Sequence, residues 1–538
     1  MPRLRFTPPR APSRSRAGPL ALAGVLLGAA AAPLVAAPAA PGPVVLVTGG
    51  AIRGRLLPDS RGAVFRGIPF ARPPVGDLRW REPMPVAAWT GIREAAESGP
   101  PAAQPPLGWN DRSAAASRED CLYLDVWTPA SAPGARNPVM VWIHGGANVA
   151  GAGGFDPLYD GGALVSHGVV LVVIEYRLGI FGFLAHPELA RESPHHTSGN
   201  FAIQDQIAAL QWVRANIAAF GGDPSNVTIF GQSAGSFDVT ALMASPLAKG
   251  LFQRAIGESG AMDPPHVETR DAAERAGIRA AARMGAPDRD APRFLRSLPT
   301  AEVLKAGESV VSFCADGWVF PESPLRTWAS GREHPVPLII GSNTVEFPSS
   351  GTPDDIRRDI RAAFGDLAPR ALALYGLAGG DRPVFVDPVY GSLADQWGSD
   401  QFRCPVVVDG QWHSRAGNPV WEFEFNRAIP PRPRVGHSSD LPYVFGNLYA
   451  TGSQGGAFTD EDRALSAIIQ GYWTNFARSG DPNGPGLPPW PRYDPVGRRY
   501  IVFTPPAGPF PAVAEGRDER GPFCDLFRQM MERSAAAP

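Results

Sequence analysis

Ser233 lies at the centre of a Gly-x-Ser-x-Gly pattern formed by residues 231–235. The β-branched run Val227-Thr228-Ile229 precedes the pattern, and residues 234–243 can form a helix. A strand, a sharp turn and a helix are the setting of a nucleophile elbow, which presents a serine hydroxyl at the end of a sheet. The pattern therefore predicts that Ser233 is a nucleophile that attacks a carbonyl carbon.

A second, glycine-rich segment could stabilise the negative charge that such an attack creates. It comprises residues 144–147 (His-Gly-Gly-Ala) and follows the strand-like run Val139–Ile143. Successive backbone N–H groups in such a segment can donate to a substrate oxygen, and the N–H of Ala234 at a helix N-terminus can join them. One such donor is worth about 3 kcal/mol of barrier, so the segment is a candidate oxyanion hole.

A serine nucleophile needs a base, and His437 is the best candidate among the nine histidines. It lies in a polar loop beyond a strand-like run, residues 420–425. His195 and His196 precede the serine, against the chain order of serine, acid and histidine expected for this arrangement. His144 belongs to the glycine-rich segment, where a structural hydrogen-bonding role is expected.

The base in turn needs an acid, which should follow a strand between the serine and the histidine. Glu346 fits, because the run Leu338–Ile340 precedes it and a short polar segment connects the two. Asp316 and Asp400 remain alternatives, although no comparable strand precedes either of them.

These groups must be held by a regular framework, and four short apolar runs predict buried parallel strands. Residues 203–219, between the second and third runs, carry apolar side chains at helical spacing. Strands that alternate with helices predict an α/β fold with a large, mostly parallel twisted central sheet and helices on both faces. The four runs are Val139–Ile143, Val169–Ile174, Val227–Phe230 and Leu338–Ile340.

Several longer motifs resemble those of the type-B carboxylesterase family, also called the cholinesterase-like family. The resemblance runs from about residue 45 to the C-terminus, and it includes the family's serine signature and its second signature. It implies the α/β-hydrolase fold and the hydrolysis of carboxylic esters. The motifs occupy residues 66–71 (RGIPFA), 119–126 (EDCLYLDV), 176–179 (YRLG), 220–235 and 442–446 (PYVFG).

The resemblance also implies roles for individual residues. Ser233, Glu346 and His437 occupy the positions of the catalytic triad. Three backbone donors occupy the oxyanion-hole positions, and Ser259 resembles a serine that supports the acidic member of the triad. The three donors are Gly146, Ala147 and Ala234.

The sequence departs from the family at several positions. Gln232 precedes the nucleophile where cholinesterases carry glutamate, which makes a cationic choline ester a less favourable substrate. Cys121 lacks the upstream cysteine with which the family often pairs it. The four cysteines allow three full pairings; the resemblance implies a bond between Cys404 and Cys524. Asp238 stands where the family commonly has serine, and the sequence offers no physical reason for it.

The composition narrows the remaining possibilities. The chain has 538 residues, 44% of them hydrophobic, and a formal net charge of -2, so no electrostatic feature favours nucleic acid. Arginines followed by an apolar stretch and Ala37-Pro38-Ala39 predict a signal peptide over residues 1–39, cleaved on export. Residues 40–538 are then expected to form a single domain, secreted or periplasmic, without stable insertion in a membrane.

The expected partners are a small-molecule ester and water, and no cofactor or metal is expected. Hydrolysis of an amide, a carbamate or a lactone by the same triad is the alternative reaction, and a non-catalytic binding protein is the alternative outside enzymes. The oligomeric state cannot be read from the sequence. Five aromatic residues are candidates to line a substrate gorge, namely Trp109, Phe237, Trp318, Phe347 and Trp397.

Overall fold

The computed structural model describes residues 42–58, 61–130, 134–307, 311–379, 386–428, 434–449, 458–503 and 512–537. The expected signal segment, residues 1–39, lies outside the described residues. In the part of the chain that is described, no helix is both long and apolar enough to cross a membrane.

The described chain forms sixteen strands and sixteen α-helices. The strands are β1 (Val44–Val47), β2 (Gly50–Arg53), β3 (Arg55–Leu56), β4 (Gly62–Pro69), β5 (Ile92–Glu94), β6 (Tyr123–Pro129), β7 (Asn137–Ile143), β8 (Val170–Ile174), β9 (Gly222–Gln232), β10 (Arg254–Glu258), β11 (Val267–Thr269), β12 (Phe313–Ala315), β13 (Leu338–Asn343), β14 (Val420–Phe425), β15 (Arg499–Phe503) and β16 (Val513–Arg517). The helices are α1 (Asp111–Ala116), α2 (Gly162–Val165), α3 (Gly179–Phe183), α4 (Pro187–Glu192), α5 (Phe201–Asn216), α6 (Ala234–Ala244), α7 (Arg270–Arg283), α8 (Ala291–Ser297), α9 (Thr300–Ala306), α10 (Pro324–Ala329), α11 (Pro353–Phe364), α12 (Ala368–Leu374), α13 (Leu393–Arg415), α14 (Leu441–Phe445), α15 (Asp460–Ser479) and α16 (Gly521–Ala536).

Eleven of the strands form one sheet, in the order β16-β15-β14-β13-β10-β9-β7-β8-β6-β4-β3. All pairs from β15 through β8 are parallel, and the pairs at both edges are antiparallel. The four apolar runs of the sequence lie in β7, β8, β9 and β13, in the parallel part of the sheet. The predicted parallel core is therefore confirmed.

Helices cover both faces of this sheet, as the side chains of β7 illustrate. Val139, Val141 and Ile143 pack into one apolar cluster, which includes residues of α5 and α6. Met140 and Trp142 point the other way, into a second cluster with residues of α14 and α15. This alternation follows from the two-residue period of a strand, and burial on both faces explains why the strand is almost wholly apolar.

A third apolar cluster packs helices α11, α12, α13 and α16 against one another. A disulfide between Cys404 in α13 and Cys524 in α16 lies in this cluster. Cys121 and Cys314 are free and buried. Trp397, one of the candidate gorge residues, packs here against the rings of Phe364, Tyr375 and Phe527, which gives it a role in the packing of this cluster.

Candidate active site

Ser233 lies in a strained turn between the end of β9 and the start of α6. Its φ is 57° and its ψ is -126°, a combination that a residue with a Cβ rarely adopts. The Ser233 N–H donates to the carbonyl oxygen of Glu258 at 2.8 Å, and its own carbonyl accepts the N–H of Phe237 at 3.0 Å. The helix therefore begins on the serine itself, as the sequence pattern predicts for a nucleophile elbow.

Two glycines allow the neighbouring segments to approach the elbow. A Cβ on Gly235 would lie 2.0 Å from the carbonyl oxygen of Ile143, at the end of β7. A Cβ on Gly145 would lie 2.6 Å from the carbonyl oxygen of Gln232 and 3.1 Å from the Cβ of Ser233. Since neither position has room for a side chain, the glycine-rich segment can lie directly against the serine.

The segment that carries two of the three expected oxyanion donors has an unusual backbone. Gly146, Ala147 and Asn148 have φ values of 118°, 56° and 56°. The carbonyl oxygen of Gly146 accepts the N–H groups of Val149 and Ala150, at 3.1 and 3.0 Å, which closes a tight turn. The chain therefore turns sharply beside Ser233.

The third expected donor belongs to Ala234, the first residue of α6. The N–H groups of the first turn of a helix have no partner within that helix, and the helix dipole adds partial positive charge there. The start of α6 is therefore suited to stabilise negative charge next to Ser233.

Glu346 and His437 are in direct contact. The Nδ1 of His437 lies 2.6 Å from Oε2 of Glu346, and both side chains are buried. The other carboxylate oxygen, Oε1, accepts the N–H of Asn343 at 2.7 Å, and the N–H of Glu346 donates to Ser399 Oγ at 2.9 Å. Both the main chain and the side chain of Glu346 are therefore held by hydrogen bonds that do not involve the imidazole.

The two alternative acids have other partners. Asp316 accepts the N–H groups of Trp318 and Phe320, both at 3.0 Å, and stabilises a turn. Asp400 lies between Arg403 and Arg520, at 2.6 and 2.5 Å. Neither aspartate contacts His437 in the described residues, so the geometry favours Glu346.

Gln232 occupies a position that the sequence does not reveal. Its Nε2 lies 3.2 Å from Nε2 of His437, and its Oε1 accepts the hydroxyl of Ser438 at 3.1 Å. Among the described residues, the hydroxyl of Ser233 has no hydrogen bond. The imidazole of His437 therefore contacts the side-chain amide of Gln232 instead of the hydroxyl of Ser233. Contacts between a nucleophile and its base often form only when substrate is bound.

Two phenylalanines pack against the imidazole of His437. The ring centroid of Phe347 lies 4.2 Å away and that of Phe402 lies 5.2 Å away, and the two phenylalanines are 5.6 Å apart. Phe347 is among the aromatic residues that the sequence singles out. Phe402 is not, because no pattern in the surrounding helix marks it as a residue of the site. These rings form an apolar wall beside His437.

Of the other aromatic candidates, Phe237 lies nearest to the elbow, one helical turn after Ser233. It packs against the imidazole of His266, at 4.2 Å between ring centroids. Trp318 stacks on His195 at 3.7 Å, and Trp109 is 51% exposed. Among the described residues, neither tryptophan has a ring contact or a hydrogen bond with Ser233, Glu346 or His437.

Ser259 supports the glutamate through an intermediate residue. Its Oγ accepts the side-chain amide of Asn343 at 3.1 Å, and Asn343 in turn donates its backbone N–H to Glu346. The same amide lies 3.4 Å from Asp440, whose pKa is raised to about 6 by burial and by the charge of Glu346. Asp440 was not expected from the sequence, although it lies only three residues after His437.

Comparison with known proteins identifies the family of the chain. Residues 41–358 and 388–511 match the model of the carboxylesterase family. A medium-chain fatty acyl-CoA hydrolase precursor from Anas platyrhynchos is 36% identical over 513 residues, which cover 85% of this chain and 88% of that protein. A fumonisin B1 esterase from Sphingopyxis macrogoltabida is 34% identical over 505 residues, which cover 89% of each chain.

Solved structures give the same result. A PNB esterase structure aligns with a TM-score of 0.77 and 32% identity, over 90% of this chain and 99% of that chain. A thermophilic PNB esterase aligns with the same TM-score and identity, over 91% of this chain. The chain therefore belongs to the carboxylesterase family, and it is a carboxylesterase.

Proposed function

We propose that the enzyme hydrolyses carboxylic esters through an acyl-enzyme formed on Ser233, with His437 as base and Glu346 as its acidic partner. The observation that carries this proposal is the 2.6 Å contact between Glu346 and His437, together with the strained elbow that presents Ser233. The N–H groups of Gly146, Ala147 and Ala234 form the oxyanion hole.

In the first half of the reaction, Nε2 of His437 removes the proton of Ser233 as Oγ attacks the ester carbonyl. The side chain of Gln232 has to move away from Nε2 for this transfer. The carbonyl oxygen gains negative charge and accepts the three N–H groups, while Glu346 stabilises the imidazolium and its tautomer. The bond to the alcohol oxygen then breaks, and His437 gives its proton to the departing alcohol.

In the second half, a water molecule takes the place of the alcohol. His437 accepts one proton of the water as its oxygen attacks the acyl carbon. The same N–H groups stabilise the second tetrahedral intermediate, and His437 returns the proton to Ser233 Oγ as the bond to the acyl group breaks. The carboxylic acid leaves, and the enzyme returns to its starting state.

The substrate is expected to be an uncharged ester with an apolar acyl or alcohol group. Phe347 and Phe402 place apolar rings beside His437, and the neutral Gln232 adds no negative charge that would favour a cationic alcohol. The names of the relatives, a fatty acyl-CoA hydrolase and a fumonisin B1 esterase, are compatible with acyl transfer to water on varied substrates.

The decisive experiment is Ser233→Ala, assayed on a panel of p-nitrophenyl esters of graded acyl length. Loss of the nucleophile is expected to lower kcat by about 10⁴-fold or more, without a change in the melting temperature. Ser297→Ala, the same change at an exposed helical serine, should leave kcat unchanged. A fluorophosphonate probe should label Ser233 of the wild type, as located by mass spectrometry.

Either of two results would contradict the proposal: ester hydrolysis by Ser233→Ala at the wild-type rate, or labelling at another residue. Phenyl carbamate and anilide substrates belong in the same assay. Faster turnover of either of them than of every ester would favour the alternative reaction class.

We also propose that residues 1–39 direct export and are then removed, which leaves residues 40–538 as a single secreted or periplasmic domain. The disulfide between Cys404 and Cys524 supports this, because such bonds persist mainly in oxidising compartments. N-terminal sequencing of the protein from the producing cell should begin near residue 40. An intact N-terminus on the mature enzyme would contradict export by cleavage.

A further inference from the structure

Asp238 is an acidic residue with no exposed surface, one turn into helix α6 and five residues after Ser233. Its Oδ1 accepts the side-chain amide of Asn148 at 2.9 Å, and its Oδ2 accepts that of Gln206 at 2.6 Å. Burial raises the pKa of Asp238 to about 6. Holding a carboxylate in this position therefore opposes folding at neutral pH, since burial disfavours the charged form.

Asn148, the partner of Asp238, directly follows the two loop residues that are expected to donate to the oxyanion. Two further contacts of Asn148 are with residues outside the nucleophile helix. Its carbonyl oxygen accepts the N–H of Gly179 at 2.6 Å, and its Oδ1 lies 3.2 Å from the hydroxyl of Tyr176. The same hydroxyl donates to the carbonyl of His144 at 2.6 Å, so Tyr176 bridges the two ends of the loop.

The backbone of this loop requires such support. Ala147 and Asn148 both have φ near 56°, a left-handed conformation that is unfavourable for alanine and persists only where the surroundings enforce it. The direction of the N–H of Ala147 depends directly on these angles. A residue that fixes Asn148 therefore also fixes the orientation of the N–H of Ala147, an expected oxyanion donor.

We propose that Asp238 is a positioning residue: through Asn148, it locks the loop of residues 146–148 to the nucleophile helix and so holds the oxyanion donors in register with Ser233. Gln206, from helix α5, supports the carboxylate from its other side. The inference rests on the proposed function, since it assigns Asp238 to the support of that oxyanion hole. It also gives a physical reason for an aspartate at this position.

Asp238→Ala removes the acceptor and tests the proposal directly. We expect kcat for p-nitrophenyl esters to fall by about 10- to 100-fold, less than the 10²–10³-fold that follows the complete loss of one donor, with KM within about threefold. Asp238→Asn should recover most of the activity. Its Oδ1 can still accept from Asn148. Its amide can donate to Oε1 of Gln206 once the Gln206 amide rotates, because this oxygen has no hydrogen-bond partner among the described residues.

A double-mutant cycle shows whether the effect passes through Asn148. Asn148→Ala should lower kcat to a similar extent, and Asp238→Ala should add less than about twofold when Asn148 is already alanine. Asn148→Ala also keeps the test valid if Asp238→Ala does not fold. Thr240→Val is the matched control, because Thr240 is buried in the same helix and its hydroxyl donates only to the carbonyl of Phe237.

A trifluoromethyl ketone separates positioning from a general structural effect. Ser233 Oγ adds to its carbonyl carbon, and the carbonyl oxygen becomes an oxyanion that accepts the N–H groups of the hole. Across the variants, the inhibition constant should rise in proportion to the loss of kcat/KM, because both depend on oxyanion stabilisation. A variant that is merely less stable would lose melting temperature without this correlation.

Three results would overturn the inference: wild-type kcat in folded Asp238→Ala, additive losses in the double variant, or inhibition constants that do not change with kcat/KM. The proposed function is tested separately. If fluorophosphonate labels Ser233 and Ser233→Ala is inactive while Asp238→Ala retains full activity, only this inference fails. If Ser233 is neither labelled nor required, the proposed function fails as well.

Discussion

The two carboxylate oxygens of Glu346 have different partners, and this difference fixes the tautomer of His437. Oε1 accepts the N–H of Asn343, a backbone group that can only donate. Oε2 is left to accept the N–H at Nδ1 of the imidazole, which leaves Nε2 without a proton and free to act as a base. In the proposed mechanism, Glu346 therefore orients His437 and sets which of its nitrogens can accept the proton of Ser233.

Glu346→Gln tests this point. If the amide oxygen keeps its bond to Asn343, the amide NH₂ faces Nδ1, which must then accept, so that the proton moves to Nε2. We expect kcat for p-nitrophenyl acetate to fall by about 10³–10⁴-fold, less than in Ser233→Ala.

Asp316→Asn is the control for Glu346→Gln. Its side-chain oxygen can still accept the N–H groups of Trp318 and Phe320, so kcat should remain within about twofold of the wild type. If Asp316→Asn were the damaging change and Glu346→Gln were not, the acid would have been assigned to the wrong residue.

At the scale of elements, the parts that the sequence predicts are those set by local order along the chain. The buried run before Ser233, the turn and the helix after it are contiguous. Their pattern of apolar, glycine and helix-forming residues is therefore sufficient to predict all three elements. The helix predicted over residues 203–219 is α5, Phe201–Asn216, followed by a short 3₁₀ turn over Ile217–Phe220. Only its bounds differ, which reflects how gradually a helix ends.

Contacts between distant elements could not be predicted in this way. Phe402 reaches His437 from helix α13, and Asp238 reaches Asn148 across 90 residues. Asp400 is a candidate acid in the sequence, but in the structure its carboxylate forms ion pairs with two arginines. In each case the residue type is visible in the sequence, but its partner is set by tertiary packing alone.

Strand β14 and the start of helix α16 bring several acidic side chains together inside the protein. Glu422 and Glu424, in β14, and Glu519, just before α16, are all buried. Burial and the charge of Glu424 raise the pKa of Glu422 to about 8. A pKa above the value in the unfolded chain means that folding is favoured while the proton is bound. The stability that protonated Glu422 contributes to the folded state is complete below about pH 4.5 and is lost as the pH rises through 8.

Glu422→Gln keeps this position neutral at every pH. Its melting temperature should therefore exceed that of the wild type by about 2–5 °C at pH 9, whereas the two should agree within about 1 °C at pH 5. Scanning calorimetry at the two pH values measures the difference. Glu515→Gln, at an exposed glutamate of β16, should show no such dependence, and an equal gain at both pH values for Glu422→Gln would contradict the explanation.

At the scale of the whole molecule, the site is assembled at one edge of the sheet. The glycine-rich loop follows β7, Ser233 follows β9, Glu346 follows β13 and His437 follows β14. These strands are parallel, so their carboxyl ends lie at the same edge, where α/β proteins generally place their sites. The alternation of strands and helices in the sequence therefore predicts both the fold and the edge of the sheet where the candidate site residues lie.

The disulfide between Cys404 and Cys524 closes a loop with a sequence separation of 120. His437 lies inside this covalent ring, whereas Ser233 and Glu346 lie outside it. Strand β14 belongs to the ring as well, and it is inserted between β13 and β15 of the sheet. A protease that cuts the backbone once anywhere in the ring therefore leaves a single covalent molecule, in which the histidine stays tethered to the framework that carries its partners.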